Sequence, residues 1–120
     1  IDEEDLQARS KKAGKELKSM LLDIKKHYDI IGDIRGMGLF IGIELINDKH
    51  NLEPNSNAAT SIVNTMKDHG ILLSVDGPEK NVIKIKPPMV FNKKNAAFLV
   101  ENLDTVFSKY KKDRKKTLPR

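Results

Sequence analysis

A chain of 120 residues has room for one domain, so separate cofactor and substrate halves within it are excluded, and it is expected to be a single domain or a piece of a longer protein. Its balance of 38% apolar to 32% charged residues, without a run of eighteen apolar positions, is that of a globular domain, neither disordered nor a membrane-spanning helix. With no cysteine, disulfides, thiolate metal sites and thiol nucleophiles are excluded, and three scattered histidines are too few for a zinc site. The net charge of +5 lies in the last ten residues, where Lys111, Lys112, Arg114, Lys115, Lys116 and Arg120 stand against Asp113. Residues 1–110 are formally neutral, so the folded part is no basic module for nucleic acid, and residues 111–120 are expected to be a disordered basic tail.

The chain opens at Ile1, directly on helix-like sequence and without a targeting pattern, which is the expectation for a fragment. Leu6, Ala13, Leu17, Met20, Leu21, Ile24 and Tyr28 recur at helical spacing, so residues 2–27 read as one long amphipathic helix. Residues 30–35 form a short apolar segment, Gly36-Met37-Gly38 a turn, and residues 39–46 a near-continuous apolar run with the length and β-branched content of a buried strand. A polar loop carrying Pro54 leads to a second helix marked by Ile62, Val63 and Met66, with Gly70 as its stop. Residues 71–75 read as a strand, Asp76-Gly77-Pro78 as a turn and residues 82–86 as another strand, closed by Pro87-Pro88. Asn92 is placed to cap a last helix whose stripe is Ala96, Leu99, Leu103, Val106, Phe107 and Tyr110. The order α-β-β-α-β-β-α has consecutive strands without a helix between them, which predicts an α+β domain with a mixed or antiparallel sheet and helices on one side.

Few residues offer chemistry. Gly36-Met37-Gly38 and Gly42 precede a strand instead of a helix N-terminus, so they read as structural glycines and not as a phosphate loop. Gly42, inside its strand, marks a bulge or a close backbone approach. Arg35 and Glu44 are charges embedded in apolar sequence and read as a structural ion pair or a solvent-facing edge, with Asp33 a second partner for the arginine. In Val82-Ile83-Lys84-Ile85-Lys86 the isoleucines take one strand face and the lysines the other, with the two ammonium-bearing positions about 7 Å apart. That face reads either as plain solvent surface or as a seat for an anion. His27, His50 and His69 lack partners at catalytic spacing and read as surface residues. No nucleophile, base, metal set or cofactor cradle emerges from the residues themselves.

The run Ile31-Gly32-Asp33-Ile34-Arg35-Gly36-Met37-Gly38-Leu39-Phe40-Ile41-Gly42-Ile43-Glu44-Leu45 resembles the R-G-x-G-L-hydrophobic-x-G-x-E signature in the C-terminal part of class-III aminotransferases. Val82-Ile83-Lys84-Ile85-Lys86-Pro87-Pro88-Met89 is similar to that family's hydrophobic-R/K-hydrophobic-x-P-P-hydrophobic segment. With Leu72-Leu73-Ser74-Val75-Asp76-Gly77-Pro78, the match looks most like the phospho-lyase branch acting on ethanolamine phosphate or 5-phosphohydroxy-L-lysine.

The resemblance implies a fold-type-I enzyme dependent on pyridoxal 5′-phosphate, a homodimer or homotetramer, mitochondrial with the cytoplasm as the alternative. Residues 1–110 would be its small C-terminal domain, closing on a large domain of the same chain that supplies the cofactor-binding and catalytic residues. The reaction implied is elimination of β-phosphate from a small phosphorylated amine, followed by hydrolysis to ammonia and an aldehyde. Where many ω-aminotransferases of the family carry an arginine for the substrate carboxylate, this chain has Lys84, a point charge in place of a planar fork. Lys84 is thereby implied to hold the anionic end of the substrate, with Lys86 either assisting or pointing to bulk water beyond Pro87-Pro88. The alternatives are an alanine–glyoxylate type ω-aminotransferase and a non-enzymatic α+β module using its basic tail. The latter lacks the aromatic platform of an RNA-reading sheet.

Overall fold

The computed structural model describes residues 3–37, 40–86 and 93–117. Over these the elements are α1 (Glu3–Lys25), β1 (Ile31–Met37), β2 (Phe40–Leu45), α2 (Ser56–Asp68), β3 (Ser74–Asp76), β4 (Val82–Ile85) and α3 (Lys93–Thr117), in the order that the periodicities predict. The strands make one sheet, β1-β2-β4-β3, in which every pairing is antiparallel, and this resolves the expected choice between mixed and antiparallel. The expected Gly38, Pro87-Pro88 and Asn92 punctuation lies outside the described residues.

Strand alternation sorts the side chains. Ile34, Ile41, Ile43, Ile83 and Ile85 point to one face, where Leu17 and Leu21 of α1, Ile62 and Met66 of α2, and Leu103 and Phe107 of α3 bury them in a single core. All three helices therefore cover the same face of the sheet, as expected, and the other face carries Asp33, Arg35, Phe40, Glu44, Lys84 and Asp76. Register cannot slip by one residue, because that would drive the lysines of β4 into the core and Ile83 out of it.

Two boundaries and the place of a bulge depart from the sequence reading. β1 runs through Gly36 to Met37, so Gly36 is a strand residue opposite Ile41 and not part of a turn. The bulge offered for Gly42 sits instead at Gly32, where the register shifts between Ile31 and Asp33. A Cβ on Gly32 would come within 3.0 Å of Ile46 Cγ2, whereas Gly42 continues the ladder opposite Arg35 and Lys84. The strand expected from residue 71 begins only at Ser74, since the Ile71 N–H is already committed to the Met66 carbonyl at 2.9 Å. With the Gly70 N–H on the Lys67 carbonyl at 2.9 Å and Gly70 at φ +80°, this is the left-handed exit that closes α2.

The basic end differs as well. The segment expected to be disordered from Lys111 is helical to Thr117, a continuation of α3. Arg114 Nη1 donates to the Asn47 carbonyl at 2.9 Å and Lys111 Nζ to the His27 carbonyl at 3.3 Å, while cations near a helix C-terminus also oppose its dipole. Higher on the same helix, Asp104 accepts the hydroxyl of Tyr28, which follows α1, and Phe107 stacks on the Tyr28 ring with centroids 5.5 Å apart.

Two outcomes follow for stability. Asn55, almost wholly buried, accepts the Ala58 N–H at 2.9 Å as the N-cap of α2, so Asn55→Ala lowers the unfolding free energy by about 1–2 kcal/mol in urea titration. Burial, and then the hydrogen bond and charge of Asp104, push the Tyr28 phenol from 10.0 up to about 12. The unfolded chain loses that proton near the ordinary value while the folded chain keeps it, so this contribution is complete below pH 10 and disappears as the pH rises toward about 12. The urea midpoint of the native sequence thus falls more steeply across that alkaline range than that of Tyr28→Phe; parallel profiles would refute the assignment.

Candidate functional site

The helix-free face of the sheet carries the charged groups. Cross-strand pairing sets them in rows: Arg35, Gly42, Lys84 and Ser74 share one, and Asp33, Glu44, Val82 and Asp76 the next. A row headed by cations thus runs beside a row rich in carboxylates. Arg35 Nη1 stands 3.6 Å from Glu44 Oε2 and 3.8 Å from Asp33 Oδ2, so both partners anticipated for the arginine are present, on a half-exposed surface. Pairs of this kind contribute at most about 1 kcal/mol each and mainly fix where the guanidinium lies.

Lys84 and Lys86 were the candidate site residues, and both come to the same place. Lys84 projects from β4 with its side chain 29% exposed, its Nζ 3.5 Å from Asp76 Oδ2 and 4.0 Å from the centre of the Phe40 ring. Lys86, just past the end of β4 and exposed, brings its Nζ to 5.8 Å from the same ring. The lysine face is thus a pair of ammonium groups gathered over one aromatic ring, with one carboxylate alongside. Val82 shares this face but is buried, next to Gly77 at φ +91°; a Cβ on Gly77 would come within 3.3 Å of Val82 Cγ2.

Phe40 and Asp76 were not picked out from the sequence. Phe40 lies two residues before Gly42 and so on the charged face of β2, a signal that strand alternation contains. Asp76 was read as a turn residue, and only the β3–β4 pairing, with Asp76 opposite Val82, sets it beside Lys84. The three histidines are exposed, as expected; His69 Nδ1 meets Asn102 Oδ1 at 2.9 Å, a surface contact between α2 and α3. Among the described residues no group of three or more His, Asp or Glu could hold a metal ion, and no helix is long and apolar enough to cross a membrane. A cleft of about 230 Å³ lies elsewhere, between the end of α1, the loop after β2 and the end of α3, lined in part by Tyr28, Tyr110, Lys111 and Arg114.

Comparison with known proteins shows what the chain as a whole is similar to. Residues 1–107 match the family described as Aminotransferase class-III. An ethanolamine-phosphate phospho-lyase homolog of Caenorhabditis elegans is 42% identical over 109 residues, covering 90% of this chain and 23% of the relative. An alanine–glyoxylate aminotransferase 2-like protein of Drosophila melanogaster is 47% identical over 97 residues, covering 80% of this chain and 20% of that protein. Among solved structures, a phospholyase from Arthrobacter in complex with phosphoethanolamine superimposes with a TM-score of 0.83 at 31% identity, over 98% of this chain and 26% of that one. The chain spans about a fifth to a quarter of the length of the relatives it matches.

The Asp76–Lys84 contact has a titration signature. The Asp76 carboxyl is held below the usual carboxylate range, first by the Gly77 N–H and then by the Lys84 ammonium. A lowered folded-state value stabilises the ionised form, so the contact is intact above the ordinary carboxylate range and is lost as the pH falls through the lowered value. In Lys84→Ala the Asp76 carboxyl resonance, followed by carbon-13 NMR, moves part of the way back up, because the Gly77 N–H remains. An unmoved titration would show that the pairing does not form in solution.

Proposed function

The chain belongs to the class-III aminotransferase family, and from that membership we propose that it is the small C-terminal domain of a pyridoxal-phosphate-dependent phospho-lyase. The parent enzyme eliminates phosphate and ammonia from phosphoethanolamine or 5-phosphohydroxylysine and leaves an aldehyde. Lys84 holds the anionic end of the substrate and Lys86 assists it. The observation that carries this reading is the pair of lysine ammonium groups over Phe40 on the open face of the sheet, at the motif position where an arginine would serve a carboxylate. The phosphoethanolamine complex of the Arthrobacter relative supports the choice of substrate class.

Enzymes of this family use pyridoxal phosphate. This face does not fit the cofactor itself. Lys84 is paired to Asp76 and stacked on Phe40, and Asp33 and Glu44 are tied to Arg35, which leaves charge for one end of a substrate but no cradle for a whole coenzyme. On this reading the cofactor is bound by the large domain of the parent, which also supplies the residues that move protons, and the 120-residue chain alone is inactive. The contribution of this domain is electrostatic: fixed cations beside the group on which negative charge grows as the phosphate departs. The parent acts as a homodimer or homotetramer, in which each small domain closes over an active site.

A second reading, an ω-aminotransferase of the alanine–glyoxylate type, is supported by the name of the Drosophila relative. The two separate on product: the phospho-lyase releases inorganic phosphate and free ammonia in equal amounts, whereas the aminotransferase passes the amino group to a keto acid and releases neither.

Lys84 decides the reading. In the full-length enzyme a charge-assisted contact worth about 1.5–3 kcal/mol is lost in Lys84→Ala, lowering kcat/KM for phosphoethanolamine by roughly ten- to a hundredfold with the fold retained. Lys84→Arg keeps the charge and restores the fork, so it shifts preference toward carboxylate substrates. Unchanged elimination kinetics in Lys84→Ala would place substrate selection in the large domain.

A further inference from the structure

Two ammonium groups on alternate residues of one strand repel each other and, in water alone, would diverge. Here they converge. Lys84 Nζ lies 4.0 Å and Lys86 Nζ 5.8 Å from the centroid of Phe40, a half-buried ring carried by the neighbouring strand β2. The negative face of an aromatic ring attracts both cations and offsets their mutual repulsion. Of the other charges on this face, Asp76 stands 3.5 Å from Lys84, while Arg35 is taken up by Asp33 and Glu44. The ring with its two ammonium groups and one carboxylate therefore keeps a net charge near +1, with Lys86 the less compensated of the pair.

We propose that Phe40 is a positioning residue that selects a dianionic phosphoryl group over a monoanionic carboxylate, by holding Lys84 and Lys86 over one ring so that both ammonium groups reach the same anion. This rests on the reading that the lysine face binds substrate. A carboxylate has one negative charge to divide between the two ammonium groups, so it cannot replace Asp76 on Lys84 and compensate Lys86 as well. A phosphoryl dianion engages both, and it draws Lys84 away from Asp76 at little cost because Asp76 keeps its Gly77 N–H. Without the ring the two side chains separate, and the site becomes two independent single charges that no longer distinguish the two anions.

Inorganic phosphate and acetate are titrated calorimetrically into the full-length, cofactor-loaded enzyme at a pH where phosphate is dianionic. Phe40→Leu weakens phosphate binding roughly three- to tenfold and acetate less than twofold, while Phe40→Tyr and Phe40→Trp keep the native ratio. Lys86→Ala, which leaves the sheet untouched, abolishes the preference for phosphate, and in the Lys84→Ala/Lys86→Ala protein Phe40→Leu has no further effect. A native phosphate-to-acetate ratio in folded Phe40→Leu or in Lys86→Ala overturns the proposal, as does failure of the Tyr and Trp variants to preserve it. If the double lysine variant binds phosphate as the native enzyme does, the substrate-binding reading falls with it. If the lysines matter and Phe40 does not, only the positioning role is lost.

Discussion

The backbone of Leu45 is where the fold is locked. Its N–H donates to the Asn81 carbonyl at 2.8 Å, and its carbonyl accepts both the Asn55 N–H at 3.0 Å and the Asn81 side-chain Nδ2 at 2.9 Å. Asn55 and Asn81 are the buried polar residues among those described: Asn81 spends its side chain on this junction, Asn55 gives it a backbone N–H and keeps its side chain for the cap of α2, and no buried side-chain polar atom among the described residues is left unpaired. Asn55 ties the start of α2 to the end of β2, and Asn81 ties the entry of β4 to the same residue. Lys84 follows Asn81 by three positions, so the bond that fixes the entry of β4 also fixes which side chains stand opposite Gly42 and beside Phe40. The charged face is therefore registered by Asn81, which lies on neither of its rows.

Those asparagines were illegible in the sequence for a physical reason. Asn55 and Asn81 sit in polar stretches, and composition there says only that the chain turns; the carbonyl each satisfies lies ten and thirty-six residues away in sequence. What could be read was periodic. The stripe through Leu17, Leu21 and Ile24 located α1, and the alternation through Ile83, Lys84 and Ile85 located β4 and both its faces, because a periodicity is local and a buried face enforces it. The run at residues 39–46 misled in part: it looked buried on both sides, yet Phe40 and Glu44 face away from the core and are only half-buried. The end of α3 was misjudged because a string of lysines and arginines signals exposure, and nothing local tells that Lys111 and Arg114 reach carbonyls on other segments.

The site divides along the same line. Lys84 and Lys86 were visible as a pair because one strand carries both. Their partners came from two other strands: Phe40 from β2 and Asp76 from β3, each brought in by register. Charge patterning along a chain thus finds the residues that offer an interaction, while the residues that aim them are fixed by cross-strand neighbours, which a sequence without pairing information does not order. The resemblance to class-III aminotransferases supplied the context that neither periodicity nor charge could.

The way the described part of α3 ends ties it to two distant segments. Past Tyr110 the helix is joined to the rest of the domain through the Lys111 link to the turn after α1 and the Arg114 link to the loop after β2, at His27 and Asn47. The Arg114 link, through Asn47, lies two residues from Leu45. The last described helix thus meets the loop after β2 close to the junction that registers β4, the strand that carries Lys84.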